Sequence, residues 1–259
     1  MTTRALYAAM MLAVGACAAP ADESGAGSTD EPADVAHNTL TSEEIAAGWI
    51  LLFDGVSTDG WRGYGMETFP EAGWAVADGN LIVFASDGSE EGLGGDIITE
   101  REFTDFELVF DFNISPVGNS GVFYRVREHE GESLWQVSPE YQVIDDTAYI
   151  EMGTIDMYKH LTGDNYDLHA STVTASNPIG EWNTGRIVVE GTHVEHWLNG
   201  QMTVEYDFLS PEWEELVAAS KFAEWSHYGR APSGSIGIQD HGHELRYRNI
   251  KIRPLNVGG

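Results

Sequence analysis

Glu140-Tyr141-Gln142-Val143-Ile144 alternates polar with large apolar residues, and in an extended chain residues two apart face the same way. With Tyr141 and Val143 turned to a core, Glu140 and Gln142 share the opposite face. The same reading of 122–127 turns Val122, Tyr124 and Val126 inward and Arg125 and Arg127 outward. In 236–241, Ile236 and Ile238 face inward and Gln239 and His241 outward. Three strands thus each supply planar hydrogen-bonding groups to one non-core face. Amide, guanidinium and carboxylate groups suit the hydroxyls of a polyhydroxylated ligand, and Trp135, Trp182 and Trp197 offer ring faces for the C–H face of a sugar. Glu140 and His241 are the candidates for proton transfer, since burial and neighbours tune these side chains toward neutral pKa. The plainer alternative makes Glu140 an anchor for a hydroxyl and His241 a turn residue in Asp240-His241-Gly242. Asp145 and Asp146 supply a second carboxylate or end a strand in a turn.

Other chemistries find less support. His241-Gly242-His243 with Glu244 reads as a hairpin turn before it reads as a metal site, and neither a metal nor a cofactor is expected. Gly92-Leu93-Gly94-Gly95 leads into strand-like residues, so it is no phosphate cradle opening a helix. Gly-x-Ser-x-Gly does not occur, which removes the usual nucleophile elbow.

The elements that must position these residues are short apolar or alternating runs parted by Gly, Asn and Asp: 50–53, 74–76, 80–84, 96–99, 106–114, 121–126, 140–144, 185–190, 193–198, 201–206, 235–239 and 245–252. Strands at this spacing predict an all-β jelly-roll sandwich of two antiparallel sheets, with Asn199-Gly200 as a type I′ hairpin turn. Thr41-Ser42-Glu43-Glu44 caps one helical turn. One longer helix is expected near 211–222, capped by Ser210, opened by Pro211 and acidic in its first turn.

Lys+Arg 13 against Asp+Glu 42 gives a formal charge of −29, with no basic stripe, which excludes nucleic acid as a partner and disfavours anionic lipid. Arg4 precedes an apolar run at 5–14, too short to span a bilayer but right for a signal peptide. Leu12-Ala13-Val14-Gly15-Ala16-Cys17 resembles a bacterial lipobox, making residues 1–16 a lipoprotein leader and Cys17, the single cysteine, the lipidated terminus. Ala18 follows where an Asp would suggest inner-membrane retention, so the expected location is the outer membrane. Residues 17–40, nearly devoid of aromatic and aliphatic side chains, read as a flexible acidic tether, and 41–259 as the folded domain.

A family resemblance then emerges from an ordered set of motifs. These are Leu51-Leu52-Phe53-Asp54-Gly55, Phe103-Thr104-Asp105-Phe106-Glu107-Leu108, Gly118-Asn119-Ser120-Gly121 with Phe123 and Arg125, and Glu140-Tyr141-Gln142-Val143-Ile144-Asp145. They continue with Gly180-Glu181-Trp182-Asn183, Val194-Glu195-His196-Trp197-Leu198-Asn199-Gly200, Ser220-Lys221-Phe222 and Gly237-Ile238-Gln239-Asp240-His241-Gly242. Across nearly all of 50–255 the chain resembles the 3-keto-disaccharide hydrolase domain family, which is related in fold to concanavalin-type and laminin G-like jelly rolls. The resemblance implies an enzyme acting on 3-keto-glycosides, sugars oxidised at C3 by a separate oxidoreductase. It cleaves the glycosidic bond by elimination and hydration, or performs only the hydration of a 2-hydroxy-glycal. The implied proton shuttle is Glu140 or His241, with Arg125, Gln142 and Gln239 orienting the sugar. Asp145, Tyr158, Lys159, Trp182, His196, Trp197 and Asp240 complete the candidate substrate-binding set. Where relatives carry Gly-Ala-x-Tyr, this chain reads Gly153-Thr154-Ile155-Asp156-Met157-Tyr158-Lys159, which bears on substrate preference. A non-catalytic sugar-binding module of the same fold is the competing reading, and a structural surface protein a third.

Overall fold

Phe106, Leu108, Phe110, Phe112 and Ile114 occupy every second position of one strand, and all are buried. Their mates on the facing sheet, Val122, Tyr124, Tyr141, Val143, Ile236 and Ile238, are buried too. Fully burying one such side chain stabilises the fold by about 1.5–3 kcal/mol, so these two rows dominate its cohesion. A computed structural model shows the arrangement and describes residues 36–86, 92–154 and 159–255. The leader, Cys17 and most of the expected tether lie outside the described residues, as does Tyr158. Among the described residues no helix is long and apolar enough to cross a membrane.

The strands are β1 (Ile50–Leu51), β2 (Trp61–Gly63), β3 (Trp74–Ala77), β4 (Asn80–Val83), β5 (Ile97–Thr99), β6 (Phe106–Ile114) and β7 (Asn119–Val126). Then follow β8 (Glu140–Ile144), β9 (Trp182–Glu190), β10 (His193–Leu198), β11 (Gln201–Asp207), β12 (Ser235–Ile238) and β13 (Leu245–Pro254). They form two antiparallel sheets packed as a β-sandwich. The large one runs β11-β10-β9-β6-β13-β4-β3, with β1 on the far end of β13; the small one runs β2-β5-β12-β7-β8. Asn199 and Gly200 take φ of 49° and 78° in the β10–β11 turn, as the hairpin signal required. The body starts slightly before residue 41: Asn38 is buried, donates from its side chain to the Gly79 carbonyl, and exchanges bonds with Asn249.

Among the described residues four α-helices accompany the strands: α1 (Ser42–Ala46), α2 (Leu134–Val137), α3 (Asp146–Met152) and α4 (Pro211–Ala219). Thr41 and Glu44 close a capping box on α1, and Ser210 accepts from the Trp213 amide on α4. The sequence pattern carried α4 on to 222. The chain breaks instead at Ser220, which is extended and whose hydroxyl accepts from the Phe222 amide, starting a separate 3₁₀ turn, Lys221–Glu224.

One irregularity changes which side chains face which way. Opposite β12, Ser235 pairs with Val126 and Gly237 with Phe123, so Tyr124 and Arg125 together oppose Ile236. This is a β-bulge, with Arg125 at φ 55°. Strict alternation therefore fails at this point. Val122 and Tyr124 enter the main core as expected, but Val126 joins Phe123, Ile98, Leu134 and Val137 in a second apolar cluster on the outer face of the small sheet.

Candidate active site

The site is built on that outer face, from β8 inward. Glu140 and Gln142 are 5% and 2% exposed, opposite Phe123 and Gly121 of β7. Gly121 is required here: a Cβ on it would lie 2.1 Å from Glu140 Oε1, so only glycine lets the carboxyl lie over the neighbouring strand. Gln142 Oε1 and Asn119 Oδ1 are buried and find no hydrogen-bond donor among the described residues. Such an atom costs about 1–3 kcal/mol, which a ligand hydroxyl would recover by donating to it. Gln239 follows β12 directly, its amide donating to the Gly121 carbonyl at 3.0 Å, so it reaches the same end of the sheet as Glu140 and Gln142.

Two carboxyls on this face have strongly raised proton affinity. Burial pushes Glu140 up to about 8, opposed by the Lys221 ammonium and reinforced by the negative charge of Asp96. Burial likewise raises Asp96 to about 7, against a bond from the Asp240 amide and with a further push from the Asp240 charge. Asp96 was missed from sequence because it stands only as the first residue of the 96–99 strand run, with nothing local to mark it as buried. The signal that could have found it is its parity with Ile98, two residues on, on a strand whose Ile97 is in the core.

Two segments overhang these acids. The free edge of β8 bonds to residues 161–169, with the Tyr166 amide donating to the Glu140 carbonyl at 3.1 Å and the Gln142 amide to the Asp164 carbonyl at 3.1 Å, and this places Tyr166 beside Glu140. The break after α4 throws Lys221 over the rings of Tyr166 and Trp135, 4.3 and 4.6 Å from their centroids, and its ammonium donates to the Tyr166 hydroxyl at 3.2 Å. Lys221 is open to solvent yet crowded by these rings, which lowers its pKa against the pull of Glu140 and Asp167. Lys159 and His160 both reach Asp167 beside this group, at 3.3 and 3.1 Å. Lys221 was quoted only as part of a motif; its role appears once the helix is seen to end early. On the β2 side of the same face, Arg62, residues 64–67, Glu100 and residues 128–132 line an open cavity of about 890 Å³. Glu140 is not part of its lining.

The remaining sequence candidates go elsewhere. Because of the bulge, Arg125 leaves the site: its guanidinium donates to the carbonyls of Thr104 and Gly191, lies over Phe208 at 5.1 Å, and ties the two sheets together. His196 is fully buried between the sheets, with Nε2 2.8 Å from the Tyr124 hydroxyl, and burial depresses it to about 3. Trp182 and Trp197 lie in the large sheet, covered by Arg248 at 3.7 Å and Arg186 at 5.0 Å, since β9 and β10 belong to that sheet. Asp145 caps α3 through the Ala148 amide and also accepts from the Val117 amide. Asp240 accepts from the Gly94 and Gly242 amides at 2.9 and 3.1 Å and so pins the glycine-rich loop next to Asp96. His241 stacks on His243 with centroids 5.8 Å apart. The structure thus gathers Glu140, Gln142, Gln239, Trp135 and Lys159 with the unforeseen Asp96, Asn119, Tyr166 and Lys221.

With this geometry in hand, the likeness to known proteins can be placed. Residues 48–253 match the sequence signature of the 3-keto-alpha-glucoside-1,2-lyase-like domain. A Bacteroides thetaiotaomicron protein named 3-keto-disaccharide hydrolase is 33% identical over 232 residues, covering 82% of this chain and 80% of its own. A crystal structure of a Parabacteroides distasonis protein, provisionally described as a glycosyl hydrolase, superposes with a TM-score of 0.77 at 32% identity, covering 85% of this chain and all (100%) of its own. A second one from the same organism gives 0.59 at 29% identity, covering 80% and 99%. The chain belongs to the 3-keto-alpha-glucoside-1,2-lyase-like domain family and is an enzyme of hydrolase-like type.

Proposed function

We propose that the protein cleaves neutral 3-keto-glycosides by elimination followed by hydration, with Glu140 carrying the proton. The observation that supports this reading most is a buried carboxyl raised to about 8, flanked by orphaned amide oxygens and overhung by a lysine and two aromatic rings. A general base works best with a pKa near the working pH, and a hydrogen on carbon needs a stronger base than an ordinary carboxylate.

A ketone at C3 acidifies the C2 hydrogen. Ionised Glu140 takes that proton, and the electrons of the C2–H bond pass into an enolate that the Lys221 ammonium is placed to stabilise. As the C1=C2 double bond forms, the C1–O bond breaks, and the leaving oxygen takes a proton from Lys221, whose lowered pKa eases its release. Water then adds its oxygen to C1 and gives its proton to Lys221, while Glu140 returns the first proton to C2. The net result is hydrolysis. Gln142, Asn119 and Gln239 orient hydroxyls, and the acidic surroundings favour a neutral sugar over a uronic or sulfated one. His241 stands as the other candidate proton carrier. A separate sugar 3-oxidoreductase would supply the substrate, and a lipid anchor at Cys17 would hold the enzyme at the outer membrane.

The test is incubation of the purified protein with a 3-keto-glucoside bearing a chromogenic aglycone. Aglycone release with formation of 3-keto-glucose supports the proposal, provided that Glu140→Gln abolishes it. Accumulating enone means elimination alone, and consumption of added 2-hydroxy-3-keto-glucal with the glycoside untouched means a hydratase. Saturable sugar binding without turnover, or equal turnover by Glu140→Gln, overturns the assignment.

A further inference from the structure

His129, Glu132 and His227 bring two imidazoles and a carboxylate together outside the Glu140 site, with one donor atom from each lying within 4.8 Å of the others. They come from two chain segments, the loop after β7 and the stretch after the Lys221–Glu224 turn, about a hundred residues apart in sequence. For that reason no spacing motif announces them. Glu132 Oε2 and His227 Nε2 are 2.6 Å apart, yet both are buried atoms and neither makes a bond of hydrogen-bond geometry. The contact presents two lone-pair donors side by side with no proton shared on line, and a zinc-class ion bound from one side at about 2.0–2.2 Å from each would spread them to roughly 3.3 Å and satisfy both. His129 and His227 also lie face to face, centroids 3.8 Å apart and 13° from parallel, which is unfavourable if both carry a proton charge. The potential around them is strongly negative. Glu67, Glu100, Glu128 and Glu130 line the adjoining cavity, and its one arginine, Arg62, is already bidentate to Glu128 at 2.8 and 2.6 Å.

We propose that His129, Glu132 and His227 form a site for a divalent first-row transition cation of the zinc class. Two imidazole nitrogens and one carboxylate oxygen match the borderline-soft preference of such ions and leave a coordination position for water. The ion would join the two segments that overhang the sheet. Glu132 lies three residues before Trp135 and His227 two after Trp225, and the two indoles already meet edge to face at 5.1 Å. Trp135 in turn carries Lys221 over its ring. The metal is thus a clasp on the roof of the cleft. This proposal does not depend on the glycoside reading, since its residues lie outside the proton-transfer set.

The experiment uses the full-length protein stripped with chelator and titrated with zinc chloride, read by calorimetry and by thermal denaturation. One zinc per chain is expected, with a rise in Tm. Cobalt substitution should give visible absorption bands of a low-coordinate site. His227→Gln and Glu132→Gln should each weaken zinc binding by at least about 10-fold, whereas Glu100→Gln, a cavity residue outside the trio, should not. Circular dichroism checks that each variant is folded, and agreement between the two ligand variants guards against loss of one through misfolding. No uptake at millimolar zinc, or equal affinity in the His227 and Glu132 variants, would overturn the proposal.

Discussion

On the outer face of the large sheet Glu107 lies against Arg186 and Arg253, Asp111 beside Arg248, and Glu195 next to Arg186. On the outer face of the small sheet neither Glu140 nor Asp96 is in ion-pair contact with a base among the described residues, and both titrate near neutrality. The residue types are the same and the strands are equally regular. What differs is pairing, since Glu107 is buried as Glu140 is but has arginines in contact. A carboxylate with a cation in contact holds strands together as an ion, whereas a carboxyl removed from water with only a distant ammonium keeps its proton until near neutral pH. The second condition is costly to the fold and useful to chemistry, which is a reason to look for function on the small sheet even before any family is known.

Breaking the contrast at its strongest point gives the largest effect. Glu140→Gln should lower turnover of a 3-keto-glycoside by about 10²–10⁴-fold. The same change should raise Tm in alkaline buffer. Because the folded pKa of Glu140 is raised from 4.5 to about 8, burial of the neutral acid carries no ionisation penalty below pH 4.5. Stability is then lost progressively as pH rises through 8, by on the order of 4 kcal/mol. The glutamine variant escapes that loss. Comparison of urea denaturation at pH 5 and pH 9 checks the sign, and an unchanged pH dependence in the variant would remove the argument for a buried acid.

Gly121→Ala should follow at about 10²-fold in kcat, since the added carbon displaces the carboxyl without altering its chemistry. A conservative loss confined to KM would show that the carboxyl had not moved. Lys221→Met should likewise cost about 10²-fold in kcat, as the loss of the proton donor to the leaving oxygen, and move the ascending limb of the pH–rate profile upward by up to about one pH unit, because the ammonium that favours ionised Glu140 is gone. A limb shifted to lower pH would contradict the placement. Smallest of all in activity, Glu107→Gln on the large sheet should leave kcat within error while costing about 1–3 kcal/mol in chemical denaturation, since Glu107 is itself buried and only its two arginine partners reach solvent. If it altered kcat as Glu140→Gln does, the distinction between the faces would collapse.

The two-sheet architecture and every described strand but one were legible in the sequence because alternation and turn residues are local signals; β2 (Trp61–Gly63) was not, being three residues long and ending in glycine. The β8 pair Glu140 and Gln142 was legible for the same reason. Arg125 was not, since a bulge shifts side-chain parity and no residue in Tyr124-Arg125-Val126 announces a positive φ. Trp182, Trp197 and His196 failed on a different count: alternation tells which residues share a face, and not which of two sheets a strand joins. Lys221 and Tyr166 became visible only in three dimensions, because their placement depends on where α4 stops and on a loop bonded to the edge of β8. Asp96 depended on burial by segments far away in sequence.

That loop has another consequence. Residues 161–172 bond to β8 through Glu140 and Gln142 and to β11 through the Thr172 amide and the Thr203 carbonyl, while the Gly163 carbonyl accepts from the Thr203 hydroxyl at 2.9 Å. Each of these strands ends one sheet, the opposite ends being β2 and β3. Exposed terminal strands are templates on which a second chain can continue the hydrogen-bond ladder, leading to strand exchange and aggregation. By occupying both at once, a single connection closes one edge of each sheet to a second copy of the chain.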